Sequence, residues 1–312
     1  MLPCQSYVST THLLSNEIRI EDKELFNRYI HGFPYQVSDI NFTNLFMWRH
    51  LYELRYEVIN GLLCISGYYY GEPFILPPLT LKPYNPEILS HTLTILKNRF
   101  KIFSHPLKIK FLPVHMLNEF QDLKHHKISF NSDRDNFDYI YATKDLSTLQ
   151  GRKYHSKKNH LNFFMRNTVY EYVPLTASLV DQCMDLTRKL KLGEYPPLEK
   201  DLLENEEQAI YEALIHMKQL DYIGAAILIN DRVEAFTLGE KTTNDTMLIH
   251  IEKANAEIRG LYQAINYLFC QEECGGVKCI NREEDMGFEN LRKAKESYHP
   301  AKFLEKYDVI VE

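Results

Sequence analysis

The sequence holds a single tryptophan, Trp48, and only 12 glycines in 312 residues. So little glycine excludes collagen-like, glycine-rich and β-helical chains. Long hydrophobic runs are missing too. The longest candidate, residues 58–71, is interrupted by Asn60, Gly61 and Gly67 and closes on three tyrosines and Gly71, too short and too polar to cross a bilayer. The first residues carry neither the basic segment nor the apolar core of a signal peptide, so the expectation is a cytoplasmic protein. Six cysteines (Cys4, Cys64, Cys183, Cys270, Cys274, Cys279) are too sparse for a disulfide framework and read as reduced thiols. An excess of positive charge is also absent. Lys and Arg number 36 against 42 Asp and Glu, a net charge of -6, which excludes a globally basic nucleic-acid binder but not a local basic patch. No His-Glu-x-x-His, Gly-x-Ser-x-Gly, P-loop or Cys-x-x-Cys occurs, which removes the common zinc protease, serine hydrolase, nucleotidase and dithiol chemistries.

What is present is an ordinary globular composition, 45% hydrophobic, with 21 Tyr and 17 Phe. Length suggests two domains. Asn60-Gly61 lies between the apolar runs 56–59 and 62–66, and Asn230-Asp231 lies between 222–229 and 233–238; both patterns predict hairpins. Each hairpin is followed by helix and strand patterns in the same order. The twofold order predicts two related α/β (α+β) halves with mixed, largely antiparallel sheets flanked by helices. The polar run 125–136 places their boundary, giving 1–128 and 129–312.

The densest chemistry lies late in the chain. Met247, Ile249 and Ile251 alternate with Leu248, His250 and Glu252, the period of a strand with one buried face. An amphipathic helix follows through Ile258, Leu261, Tyr262, Ile265, Leu268 and Phe269. A short strand at 277–280 leads into Asn281-Arg282-Glu283-Glu284-Asp285-Met286-Gly287. That run is not a calcium loop, because its Gly comes one position late and Arg292 stands where a bidentate Glu belongs. The cysteine spacing fits no zinc pattern, so no metal is expected. Between Leu146 and Arg166 the pattern predicts one basic helix. Arg152, Lys153, Lys157, Lys158 and Arg166 lie there without an acidic residue, and Lys153 and Lys157 share a helix face. Such a cluster either meets phosphates or is a solvated face balanced by acids from elsewhere. Glu252 is either a general base or a strand-end carboxylate paired with Lys253 or Arg259. Asp285 is expected to pair with Arg282 or Arg292 and shape the site. Tyr298 is a candidate general acid. Gly260 serves either anion binding at a helix start or packing.

Several of these segments together resemble the DUF2156 family, the soluble relative of the C-terminal domain of phosphatidylglycerol lysyltransferases. They are Gly151-Arg152-Lys153-Tyr154 with Lys157-Lys158-Asn159 and Phe163, Ile251-Glu252-Lys253-Ala254, Gly260-Leu261-Tyr262, the 281–287 run, and Leu291 through Pro300. The resemblance implies two GNAT-like folds in tandem and an acyltransferase that takes an aminoacyl group from aminoacyl-tRNA, or an acyl group from coenzyme A. The acceptor would be an amine or hydroxyl on a lipid or small molecule. Lys153, Lys157, Lys158, Asn159, Arg259, Gly260 and Asn281 are the expected carrier-binding residues, and Glu252, Asp285 and Tyr298 the expected catalytic ones. The alternative is a GNAT-like module that binds a ligand or partner without catalysis.

Overall fold

The computed structural model describes residues 12–32, 37–69, 71–121, 123, 125–191 and 197–312. Two seven-stranded sheets organise them. Across the first, the strands run Asn16–Glu17, Arg55–Ile59, Leu62–Tyr69, Glu72–Ile75, Leu107–Pro113, Lys306–Val311 and Ile128–Ser132. Across the second they run Lys302–Leu304, Asp138–Ala142, Cys279–Asn281, Thr246–Ala254, Arg232–Thr243, Ile223–Ile229 and Glu171–Pro174. Each sheet is antiparallel apart from one parallel pair. In both, a hairpin and a third strand lead through a crossover helix (Pro86–Ile102 or Leu261–Glu272) to the parallel partner. The two hairpin turns are as expected: Asn60 and Gly61, and Asn230 and Asp231, all have positive φ, the backbone twist that joins two adjacent strands through two residues.

Sheet membership does not follow the 128/129 division. Ile128–Ser132 and the C-terminal strand Lys306–Val311 both lie in the first sheet, with the last strand inserted between 107–113 and 128–132. Local sequence explains the crossover helices well. In Pro86–Ile102, Asn85 accepts from the Glu87 and Ile88 amides, Pro86 opens the first turn, and Leu89, Leu93, Leu96 and Phe100 are wholly buried. One continuous apolar core fills the first half and reaches one face of the second sheet; a second core lies on that sheet's other face, under the helices 143–148, 155–167 and 261–272.

Polar side chains hold the junction of the halves. Lys306 is fully buried, with Nζ 2.6 Å from Asp138 and 3.5 Å from Glu284, and it also pairs with Asp39. Asp138, equally buried, accepts from the Ser38 amide and hydroxyl and from Asn281 Nδ2. Beside this cluster, His250 Nδ1 lies 2.9 Å from Asn44 Oδ1 and 3.4 Å from Glu283, and its Nε2 faces Glu240 at 3.9 Å. Glu240 in turn accepts from Asn41 and Thr43 of the first half.

Replacing Lys306 by Met leaves Asp138 as a buried, uncompensated carboxylate, which costs on the order of 3–5 kcal/mol. Urea unfolding should show that loss; a change under about 1 kcal/mol would mean that the cluster does not hold the fold.

A pH dependence follows as well. Burial opposes a charge on His250, but Glu240 and Glu283 outweigh it and raise the ring to about 9. Burial also drives Asp39 up to about 6 and Glu284 to about 7 against the pull of Lys306. In all three the folded state binds more protons, so stability falls as pH rises. The histidine contribution is complete below its unfolded value of about 6.5 and is lost as pH rises through about 9. Unfolding free energy should decline from about pH 6.5 to about 8, above which Lys295, lowered by burial to about 8, opposes the decline, and His250→Gln should flatten it. An unchanged slope in the variant would assign the decline to other groups.

Candidate functional site

The strand Thr246–Ala254 breaks the expected alternation. Its pairing steps from Leu238↔Ile251 to Gly239↔Ile249, so His250 is the extra residue of a β-bulge. Met247 and Ile249 lie in the core beneath the helices, Ile251 lies in the opposite core, and Ala254 is back in the first. The bulge therefore turns His250 toward the first half and brings Glu252 onto the face of Ile249, toward the helix Leu261–Glu272.

Alongside, the parallel pairing with Cys279–Asn281 covers Thr246 to Leu248 only. Arg282, just past the end of the short strand, reaches Glu252 further along its neighbour: Nη2 donates to Oε1 at 2.8 Å. The other carboxylate oxygen accepts from Asn266 Nδ2 at 2.9 Å. With both oxygens engaged, Glu252 anchors Arg282 and does not stand as an unencumbered base. Its partners are neither Lys253, which pairs with Glu206, nor Arg259.

The Arg282 guanidinium lies 5.0 Å from the Tyr298 ring centroid and 5.7 Å from that of Tyr141, and its Nη1 is buried without a hydrogen-bond partner. Lys157 Nζ sits 4.3 Å over the same Tyr298 ring. Burial, and then the charge of Arg282, push Lys157 below its ordinary value. No carboxylate among the described residues pairs with it. Tyr298 is buried, and burial holds its phenol protonated against the pull of Arg282, which makes it a neutral donor and platform more than a proton source at neutral pH. Two cations, one of them with an unused buried donor, thus lie against one tyrosine ring.

The other expected residues divide among different places. The expected basic helix is broken. Thr143–Thr148 ends at Leu149 with φ 46°, Gly151 has φ 97°, and a new helix runs His155–Asn167. Lys153 stands before that helix, half-exposed and paired with Asp145 at 3.1 Å, so it does not share a helix face with Lys157. Lys158 and Asn159 point outward. Arg259 stacks on Phe163 at 4.4 Å. Gly260 has φ 89°, and a Cβ there would fall 2.2 Å from the His160 carbonyl oxygen, so this glycine lets two helices approach. The turn before it uses many of its amides internally: Asn255 N donates to Glu234, Glu257 N to the Asn255 side chain, Ile258 N to Asn255 O and Leu261 N to Ile258 O. Asn281 is committed to Asp138. Asp285, wholly buried, is taken by Arg292 at 2.7 and 2.9 Å, Tyr139, Arg134 and the Gly287 amide, and these hold it below the usual carboxylate range although burial opposes them.

The structure therefore joins Glu252, Tyr298 and Lys157, and leaves Asp285 and Asn281 in the supporting networks. Arg282 is the member that sequence reading missed, having been weighed only as a partner for Asp285. Its position one residue beyond a strand end is the signal that could have found it. Lys157, Leu161 and Phe164 fall at i, i+4 and i+7, the spacing that separates inward Lys157 from outward Lys158.

A family model described as "Phosphatidylglycerol lysyltransferase, C-terminal" matches residues 32–310. The crystal structure of a conserved protein of unknown function from Bacteroides thetaiotaomicron VPI-5482 is similar with a TM-score of 0.84 at 30% identity, covering 95% of this chain and 99% of that one. The structure of L-PGS from Bacillus licheniformis is similar with a TM-score of 0.66 at 14% identity, covering 95% and 93%, a likeness of fold. An uncharacterised protein of Mycoplasmoides gallisepticum is 26% identical over 176 residues, 55% of this chain, and the match spans only 56% of that relative's length. No helix among the described residues is long and apolar enough to cross a membrane. The fold is two α/β halves in tandem, each built on a mixed, largely antiparallel seven-stranded sheet, and the chain belongs to the family of the phosphatidylglycerol lysyltransferase C-terminal domain.

Proposed function

We propose that this protein is a transferase that moves an aminoacyl group from aminoacyl-tRNA onto an amine or hydroxyl acceptor, borne by a lipid or a small molecule. The observation that carries the reading is the convergence on Tyr298 of Arg282, with a buried unpaired Nη1, and Lys157, with no carboxylate partner. Such a spot suits negative charge that develops during reaction. The acceptor nitrogen or oxygen attacks the ester carbonyl, the carbonyl oxygen gathers charge beside Arg282 and Lys157, and the bond to the ribose oxygen breaks. The proton lost by the acceptor ends on that ribose oxygen. Glu252 keeps Arg282 aimed, and Tyr298 supports both cations. Coenzyme A ranks second as carrier, because Gly260 serves packing and the Asn255, Glu257, Ile258 and Leu261 amides are already paired within the fold.

The test is the rate at which the purified protein removes radiolabelled amino acid from charged tRNA, with phosphatidylglycerol vesicles or hydroxylamine as acceptor. Arg282→Ala should slow transfer about 10²-fold or more, the effect of removing an oxyanion donor. Lys157→Ala should also slow it, and Glu252→Gln should do so more mildly. Consumption of acetyl-coenzyme A without loss of aminoacyl-tRNA would exchange the two carriers. Binding of either carrier without turnover would identify a non-catalytic module.

A further inference from the structure

The outward face of the helix His155–Asn167 is used by none of the chemistry above. At 100° per residue His155, Lys158, Asn159, Asn162, Phe163 and Arg166 share one side, while Leu161 and Phe164 are buried on the other. The helix and the turn before it, residues 149–167, contain no acidic residue in a chain of net charge -6. Among the described residues Arg152, Lys158, Arg166 and Arg259 form no ion pair with a carboxylate. At one edge of this face lies the Phe163 ring, 42% exposed, with the Arg259 guanidinium stacked on it at 4.4 Å. Lys157, on the inner side of the same helix's first turn, faces Tyr298, so this one helix carries both the outer face and a member of the site just described.

From this arrangement we infer that Lys158, Phe163, Arg166 and Arg259 form a docking surface for a single-stranded RNA segment, the unpaired end through which a charged carrier would reach the site. The inference rests on the aminoacyl-tRNA reading. Cations spaced along a helix match successive backbone phosphates, and a solvent-facing aromatic–guanidinium stack offers a flat surface on which a base of any identity stacks. Asn159 and Asn162 add amide donors and acceptors on the same side. A membrane surface fits less well. A helix that lies in a bilayer interface turns its broad apolar face outward, whereas the apolar face here is already buried in the second core. One ring among amides and cations leaves nothing comparable to insert.

Fluorescence anisotropy with the full chain and a labelled 12-nucleotide single-stranded RNA, at two salt concentrations, tests this surface. Phe163→Ala removes an exposed ring, so the fold should survive, which circular dichroism verifies; affinity should drop about tenfold, the usual effect of losing one stacked base. The double variant Lys158→Ala, Arg166→Ala should reduce the slope of log affinity against log salt by about 1.4, or roughly 0.7 per lost phosphate contact. Unchanged affinity and slope in these variants would overturn the inference, as would wild-type binding to phosphatidylglycerol vesicles but not to RNA. Aminoacyl transfer with a normal rate in the variants would sink this surface and leave the proposed function standing. RNA binding that depends on Phe163 without any transfer would do the reverse.

Discussion

A single extra residue in one strand decides where the important side chains of the second half point. In a regular strand 250 and 252 face the same way. The bulge at His250 separates them. His250 enters the junction, between Glu240 and Glu283 and against Asn44 of the first half, while Glu252 turns to the helix side and takes hold of Arg282. Removing the bulge would send one of the two to the wrong face, and either the junction or the cation cluster would lose its anchor.

The run 281–285 carries this division forward. Five consecutive residues each go to a different partner: Asn281 to Asp138, Arg282 to Glu252, Glu283 to Asn44, Glu284 to Lys306, and Asp285 to Arg292. Lys306 comes from the C-terminal strand, which crosses back into the first sheet. Its pairs with Asp138 and Glu284 tie that strand to the second half through charge. Fold and site therefore share one loop. Asn281 and Asp285 fix it on both sides of Arg282, which limits how far the guanidinium can move. Lys295 adds to this by donating to the Arg282 and Glu284 carbonyls.

Local chemistry made much of the fold legible in the sequence. Both hairpins follow from turn residues that tolerate positive φ. The long-range features were hidden. No property of residues 306–311 says which sheet edge they will join, because strand pairing across the whole chain depends on the edge left unoccupied. The bulge was masked by a sequence that alternates cleanly on either reading. The break at Leu149–Gly151 was signalled by Gly151, whose φ of 97° ends the helical path, yet the unbroken basic character around it suggested continuity. In the site, Glu252, Tyr298 and Lys157 were legible by type. Their joining through Arg282 was not, since it depends on two strands that stop pairing after three residues.

The most direct measurement is a crystal structure of the protein bound to an aminoacyl-adenosine whose ester is replaced by a hydrolysis-resistant amide. The predicted result places the carbonyl oxygen at hydrogen-bonding distance, about 3 Å, from Arg282 Nη1, with Lys157 beside it and the Tyr298 ring beneath. A ligand seated in the first half, or one that leaves Arg282 Nη1 buried and unpaired, would contradict the assignment of this cluster as the transfer site.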